Sequence, residues 1–323
     1  MNRCVVTLMA VLVSALCALA PAAAQEWPSK PVRIIVPFGA GSTPDVVARL
    51  VADGLQKQTG QTFIVENKPG ASGNTGTDAV AKAAPDGTTI GLSIGGPLAI
   101  NTLLFANLPY DPKKGISYIT LLVTQPSALA VNASLNVNSV PELVELLRKN
   151  PGKYNFGSIG TGSLSHLAME AIALKSGTKL VHVPYASSPQ AVTALMRNEV
   201  QMVCLPAISI TPQLNSGAIK LLAISTAQRS VLLPGVPTLN ESGIDVQADA
   251  WNGLIGPAGM PEAMIERINH LVREAITSPT VRQKLAAQLM APIPDTPADF
   301  RARVDAEITR WKPVIEAAKI QLK

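Results

Sequence analysis

Two stretches of the chain place glycines and small hydroxyl residues where backbone groups could do chemistry. Gly39-Ala40-Gly41-Ser42-Thr43-Pro44 follows the apolar run VRIIVPF (32–38), and Gly157, Gly160, Gly162 and Ser163 fall in YNFGSIGTGSLSHLAMEAIAL (154–174). Each bend opens straight into a helical pattern and carries no charged side chain of its own. Glycine lets the backbone turn tightly and brings its N–H groups close to a ligand. The first turn of a helix has unpaired N–H groups and a partial positive charge, so it attracts an anion without Lys or Arg. Ser42 or Thr43 can cap the first helix, with Pro44 in its first turn; Ser163 or Ser165 can cap the second. Asp45, just inside the first helix, complements the dipole and braces the bend. Either bend alone is also what a plain tight turn looks like. Their pairing in one chain points to anion capture between them.

Catalytic and metal templates fail in turn. The first bend lacks the third glycine of a dinucleotide fingerprint, and no G-x-x-x-x-G-K-[ST] run exists. The second is not G-x-S-x-G, because Ser163 follows Gly162 directly. The three histidines have no metal-ligand spacing. His166 falls in a first helical turn, His182 alternates with apolar neighbours in LVHVPY and is expected half-buried or lining a cleft, and His270 belongs on a helix surface. An exported serine hydrolase using Ser163 with His166 or His182 is the distant alternative. No catalytic residue, metal or cofactor is expected. Cys204, in VQMVCLP, reads as a small core residue, and Trp251, opening WNGLIGPAG, as core packing at a crossing between lobes.

The elements that must position the bends alternate. VRIIVPF and TFIVENK (62–68) read as strands around a helix whose apolar stripe is Val46, Val47, Leu50, Val51 and Leu55, closed by Gly60. PGASGNTG leads to a helix over 77–84, and a Pro85-Asp86-Gly87 turn leads to TTIGLSIG. ISYITLLVT and ALAVN follow as strands. From Val140 the alternation restarts with PELVELLRKN, the second bend, KLVHVPY, a helix over 189–198, VQMVCL and IKLLAIS. Two amphipathic helices, 262–276 and 297–317, close the chain. This order predicts an α/β fold of parallel-sheet units in two lobes. The chain is expected to cross between the lobes twice, near 118–131 and 219–252, with the ligand cleft beyond the strand ends. The expected division is 25–125 for the first lobe, 126–249 for the second, and 250–323 returning to the first.

Composition sets the class. The 323 residues are 47% hydrophobic, 15% charged and 4% aromatic, which suits a compact protein of this size and excludes long disorder. The net charge of +5 is scattered, so nucleic acid is not an expected partner. Residues 1–24, with one Arg, an apolar core and Ala22-Ala23-Ala24 before Gln25, read as a signal peptide cleaved near Ala24–Gln25. The mature chain is expected to be periplasmic. No later run approaches the roughly 18–20 apolar residues a membrane span needs.

The motifs VPFGAGSTPDVVAR, VENKPGASGNTGTDAVAKAAPDG, LPYDP, NFGSIGTGSLSHLA, VHVPY and LPGVPTLNESG, in this order over nearly the whole mature chain, resemble the Bug-type extracytoplasmic solute receptors of tripartite tricarboxylate transporters. The resemblance implies a two-lobed periplasmic-binding fold (type II-like) that closes over a small carboxylate, and handover to a permease of one large and one small subunit; a monomer is expected. It implies ligand contacts at Phe38, Gly39, Ala40, Gly41 and Ser42 in the first lobe, and at Thr161, Gly162, Ser163 and His166 in the second. Tyr185 with the turn after it, and Ser93 to Asn101, would form further walls. A receptor presenting ligand to a membrane kinase is the nearest alternative. The chain departs from the family pattern in four places: Ala40 where proline is common, Ser42-Thr43-Pro44 for a more glycine-rich run, Ala186 for a basic residue and Gln201 for an acidic one. The first two alter the bend that meets the ligand, so no relative's substrate transfers directly.

Overall fold

The computed structural model describes residues 27–322. The expected signal peptide and its cleavage site lie outside the described residues. Among those described, no helix is long and apolar enough to cross a membrane.

Two sheets organise the chain. The first contains β1 (Val32–Val36), β2 (Phe63–Asn67), β3 (Thr89–Ile94), β4 (Ile116–Gln125), β10 (Ala250–Pro257) and β11 (Ala291–Pro292), in the order β11-β4-β10-β3-β1-β2. The second contains β5 (Ser127–Asn132), β6 (Asn155–Ser158), β7 (Val181–Pro184), β8 (Met202–Pro206) and β9 (Ile219–Ile224), in the order β7-β6-β8-β5-β9. Among the described residues, eight helices of eight or more residues surround them: α1 (Thr43–Thr59), α2 (Asn74–Ala81), α3 (Val140–Lys149), α4 (Leu164–Ser176), α5 (Ser188–Met196), α6 (Glu262–Thr277), α7 (Pro279–Ala286) and α8 (Pro297–Ala318). The fold is α/β and two-lobed. Only Pro126 separates β4 from β5, and residues 225–249 lead from β9 back to β10.

The sheets are mixed where sequence pattern suggested parallel units. β10 runs antiparallel between β3 and β4, and β5 runs antiparallel between β8 and β9. Both inserted strands are the ones that follow a passage between lobes, so they enter their sheets from the cleft side. Strands covered on both faces need continuous apolar sequence. Accordingly Ile34, Ile35 and Val36 of β1 are buried, as is every residue of β5.

The helices are fixed by local chemistry and by one buried face each. α1 starts at Ser42, carries Pro44 and Asp45 in its first turn, and ends on Gly60 in the left-handed region. Its buried residues Val47, Val51 and Leu55 face a cluster with Ile34, Val36 and Val272. Gly54 lets α1 approach α6, since a Cβ there would lie 2.6 Å from that of Ala275. α8 belongs to neither lobe alone. Phe300 and Val304, near its start, pack with Tyr118, Trp251 and Ile255, while Trp311, Val314 and Ile315 join Leu167, Met169 and Ile172 of the second lobe. Of the segment expected to return to the first lobe, β10, β11, α6 and α7 pack with that lobe's sheet and core, and α8 packs in both. Phe300 seats directly on Gly253, where a Cβ would lie 2.1 Å from its Cζ, between the rings of Tyr118 and Trp251.

Candidate functional site

The two glycine-rich bends are the same structure built twice. In each, a strand ends, the serine after the second glycine donates its N–H to the first glycine's carbonyl at 3.2 Å, and a helix begins. Gly41 and Gly162 occupy the left-handed region at φ +79° and +78°. Ser42 and Ser163 then sit at φ −68°, ψ 158° and φ −67°, ψ 158°. A residue four places after each left-handed glycine braces its N–H: Asp45 Oδ2 accepts from Gly41 at 2.9 Å, and His166 Nδ1 accepts from Gly162 at 3.1 Å. The pattern is G-x-G-S-x-x-[D/H], and it holds both elbows open toward the helix axis.

The braces differ in chemistry. Asp45 is buried, and burial pushes its carboxyl up; hydrogen bonds from Arg49, the Gly41 N–H and Asn67, with the Arg49 charge, outweigh this and hold it below its ordinary range. Asn67 also donates to the Phe38 carbonyl at 2.9 Å, which pins both ends of the first bend. His166 accepts at Nδ1, so its proton sits on Nε2, 3.5 Å from Glu170 Oε1. Its ring stacks on His182 with centroids 3.7 Å apart, and Phe156 stacks on both. His182 Nε2 and Ser158 Oγ lie 2.6 Å apart.

Between the elbows lies a cavity of about 590 Å³. Phe38, Ser42 and Thr43 wall it on one side and Thr161, Gly162 and Ser163 on the other. Ile94, Gly95, Gly96, Ile100 and Asn101 line it as expected, and Leu322 near the C-terminus closes it beside Gly162. No Lys or Arg lines it among the described residues. The N–H groups of Thr43 and Asp45 at the start of α1, and of Leu164 and Ser165 at the start of α4, have no acceptor among the described residues. Ser42 Oγ is a buried atom without a hydrogen-bond partner. Donors that converge unpaired on an enclosed space are the arrangement that binds an anion.

The structure divides the expected site residues. Phe38, Ser42, Thr161, Gly162 and Ser163 line the cavity, and so does Ser188, the first residue of α5. Gly39, Ala40 and Gly41 form the exposed outer side of the first bend, and the Gly41 N–H is already taken by Asp45. His166 is buried behind its elbow as a brace, with no place on the wall. Tyr185 lines a separate shallow depression with Arg197 and Glu199, its ring packed near Gly157. Ala186 and Gln201 also lie away from the cavity; Gln201 Oε1 accepts from the Asn155 N–H instead.

Ser163 is not set up as a nucleophile. Its Oγ meets Ser165 Oγ at 3.0 Å and accepts the His166 N–H as the cap of α4, and among the described residues no imidazole nitrogen bonds to it; the imidazole of His182 is bonded to Ser158 instead. Cys204 is fully buried, and burial pushes its thiol up to about 12. No cluster of metal-ligating side chains occurs among the described residues.

Sequence pattern did not reveal a third wall, formed by Gln125, Asp249, Trp251, Asn252 and Glu307. Asp249 accepts from Thr124, Gln247 and Arg303, and Glu307 from Arg310 and the Trp311 indole. Burial pushes the Glu307 carboxyl up, offset only in part by Arg310, Trp311 and Arg303. The spacing Arg303, Glu307, Arg310, Trp311 on one helix was the available signal, since such a set faces one way.

Comparison with known proteins shows the family. The family described as tripartite tricarboxylate transporter family receptor matches residues 47–320. Protein BugT of Bordetella pertussis is 33% identical over 306 residues, covering 94% of this chain and 94% of its own length. Among solved structures, R. palustris Rpa4515 with adipate is similar at a TM-score of 0.78 and 32% identity, over 92% of this chain and 99% of that one. MatC (Rpa3494) from Rhodopseudomonas palustris with bound malate is similar at 0.73 and 29%, over 90% and 100%.

Proposed function

The chain belongs to the tripartite tricarboxylate transporter receptor family, and on that premise we propose that it captures a small organic carboxylate in the periplasm and delivers it to a two-subunit permease. It is a solute-binding protein and not an enzyme. The observation that carries the carboxylate reading is the pair of matching elbows, each with free helix-start N–H groups, around a cavity with no basic side chain. An anion there is held by backbone dipoles and hydroxyls, with Ser42 Oγ as an unsatisfied donor. The adipate and malate of the two structural relatives are the kind of ligand such elbows suit. Closure is by hinge motion at Pro126 and the 225–249 segment.

A thermal-shift panel on protein beginning at Gln25 tests this, using aliphatic, keto, hydroxy and aromatic mono- and dicarboxylates after removal of co-purified ligand by refolding. Ligand at one hundred times its Kd stabilises the folded state by about 2.7 kcal/mol. A rise in Tm confined to one acid class is the expected result. No rise with any acid overturns the carboxylate reading.

A further inference from the structure

The third wall of the cavity contains a buried side chain with nothing to bind. Asn252 is 2% exposed, lies on β10 opposite Ile94 of β3 and Val123 of β4, and lines the cavity, yet its Oδ1 has no hydrogen-bond partner. The other buried asparagines are all engaged. Asn74 accepts from Asn101 and Tyr110, Asn132 donates to the Leu195 carbonyl, and Asn269 donates to the carbonyls of Ile119 and Asp295. A buried amide oxygen left unpaired on the wall of a cavity marks a place where another molecule completes the bond.

Its surroundings say what that molecule brings. Asp249 and Glu307 line the same wall, so the charged groups nearest the space are carboxylates, with the guanidiniums of Arg303 and Arg310 among their partners. A second carboxylate would face the carboxylates of Asp249 and Glu307, which stand between the cavity and their guanidinium partners, whereas a hydrogen-bond donor would find acceptors. The wall is firm. Asn252 is flanked by Trp251, packed on Phe300, and by Gly253 beneath the same Phe300 ring. Gly95 faces the Trp251 ring across β3's end, where even a Cβ would come within 3.2 Å.

Topology sets the reach. The first elbow follows β1, and β10 is two strands away in the order β10-β3-β1. Two strand spacings amount to roughly 10 Å, about the span between the terminal oxygens of an extended six-carbon hydroxy acid. We infer that Asn252 is the specificity residue of the site, and that the ligand is a carboxylate carrying a hydrogen-bond donor, a hydroxyl, amide or ammonium, near the far end of such a chain. This rests on the carboxylate reading of the elbows.

The test measures Kd by calorimetry for hexanoate, 6-hydroxyhexanoate, 6-aminohexanoate and adipate, on the wild-type protein and on Asn252→Leu. The better donor-bearing probe should bind wild type at least about tenfold tighter than hexanoate, the effect of one neutral hydrogen bond, and adipate should bind more weakly than that probe. Asn252→Leu should erase the advantage while hexanoate still binds. Should Asn252→Leu fail to fold, the near-isosteric Asn252→Asp serves, with preference moving to 6-aminohexanoate and further from adipate. Equal binding of hexanoate and both donor probes, a preference for adipate, or discrimination that survives in the variants overturns the assignment of Asn252 and leaves the elbows intact. Absence of binding by all four probes overturns this inference, and the carboxylate reading falls with it only if the wider acid panel also gives no rise in Tm.

Discussion

At the left-handed glycines of the two elbows the same N–H group is received by different side chains, a carboxylate at Asp45 and an imidazole at His166. Only the second brace is packed against another titratable ring. Its neighbour His182 is stacked on it and on Phe156, bonded to Ser158, and within the field of Glu170 on α4. Burial, and then the adjacent His166, lower His182 to about 4, with Glu170 opposing weakly. The unfolded chain takes up that proton near pH 6.5, before the native protein does. Stability contributed by the buried neutral His182 is thus complete above pH 6.5 and is lost progressively as pH falls toward 4. The Tm of wild type should decline through that window, and His182→Gln should flatten the decline. An unchanged slope in the variant would place the titrating group elsewhere.

Between strand and helix, the elbow depends on one backbone conformation that few residues adopt. Gly162 is at φ +78°, and a Cβ on it would lie 2.7 Å from Leu104 Cδ1 and 3.1 Å from Leu322 Cδ1. Left-handed backbone costs about 1–2 kcal/mol for an ordinary residue, and here the Cβ also displaces the side chains that close the cavity. Gly162→Ala should lower stability by at least that amount and weaken ligand binding. Gly60→Ala, left-handed at φ +68° but in open space, should cost stability alone, which calorimetry and urea unfolding separate. This local dependence is why both elbows were legible in the sequence: Gly41, Ser42, Pro44 and their counterparts specify the turn and cap among themselves. The brace roles were half legible, Asp45 from its first-turn position and His166 not, because an imidazole acting as an N–H acceptor four residues on leaves no compositional trace. Asn252 and Asp249 could not be read at all. They reach the cavity because β10 inserts antiparallel between β3 and β4, pairing residues such as Ile94 and Asn252 that lie far apart in the chain. Tyr185 was misplaced for the complementary reason: VHVPY ends a strand at the edge of its sheet, and packing near Gly157 and Val203 turns the ring away from the cleft.

Closure of two lobes over a ligand requires that they move as bodies, yet α8 is anchored in both. Its first half lies on Gly253 and Trp251 through Phe300, and its second half inserts Trp311, fully buried, into the core of the other lobe. Between them Glu307 accepts the Trp311 indole at 2.6 Å and Arg303 reaches Asp249 at 2.9 Å, so a polar crossing joins the helix to the returning strand. Hinge bending must therefore pass through α8 as well as through Pro126 and the 225–249 segment, and the lobes should unfold together. Truncating a buried Trp costs about 3–5 kcal/mol, and Trp311→Ala also leaves Glu307 Oε2 short of a donor. The remaining tryptophans, Trp27 and Trp251, both sit in first-lobe clusters, so their fluorescence reports on the lobe that the substitution does not touch. In urea, Trp311→Ala should move the midpoint seen by that fluorescence and the midpoint seen by circular dichroism downward by the same amount. A first-lobe midpoint that stays at the wild-type value while the second lobe melts early would show that α8 decorates the two cores without coupling them, and the closing motion would then have to be assigned to the two chain crossings alone.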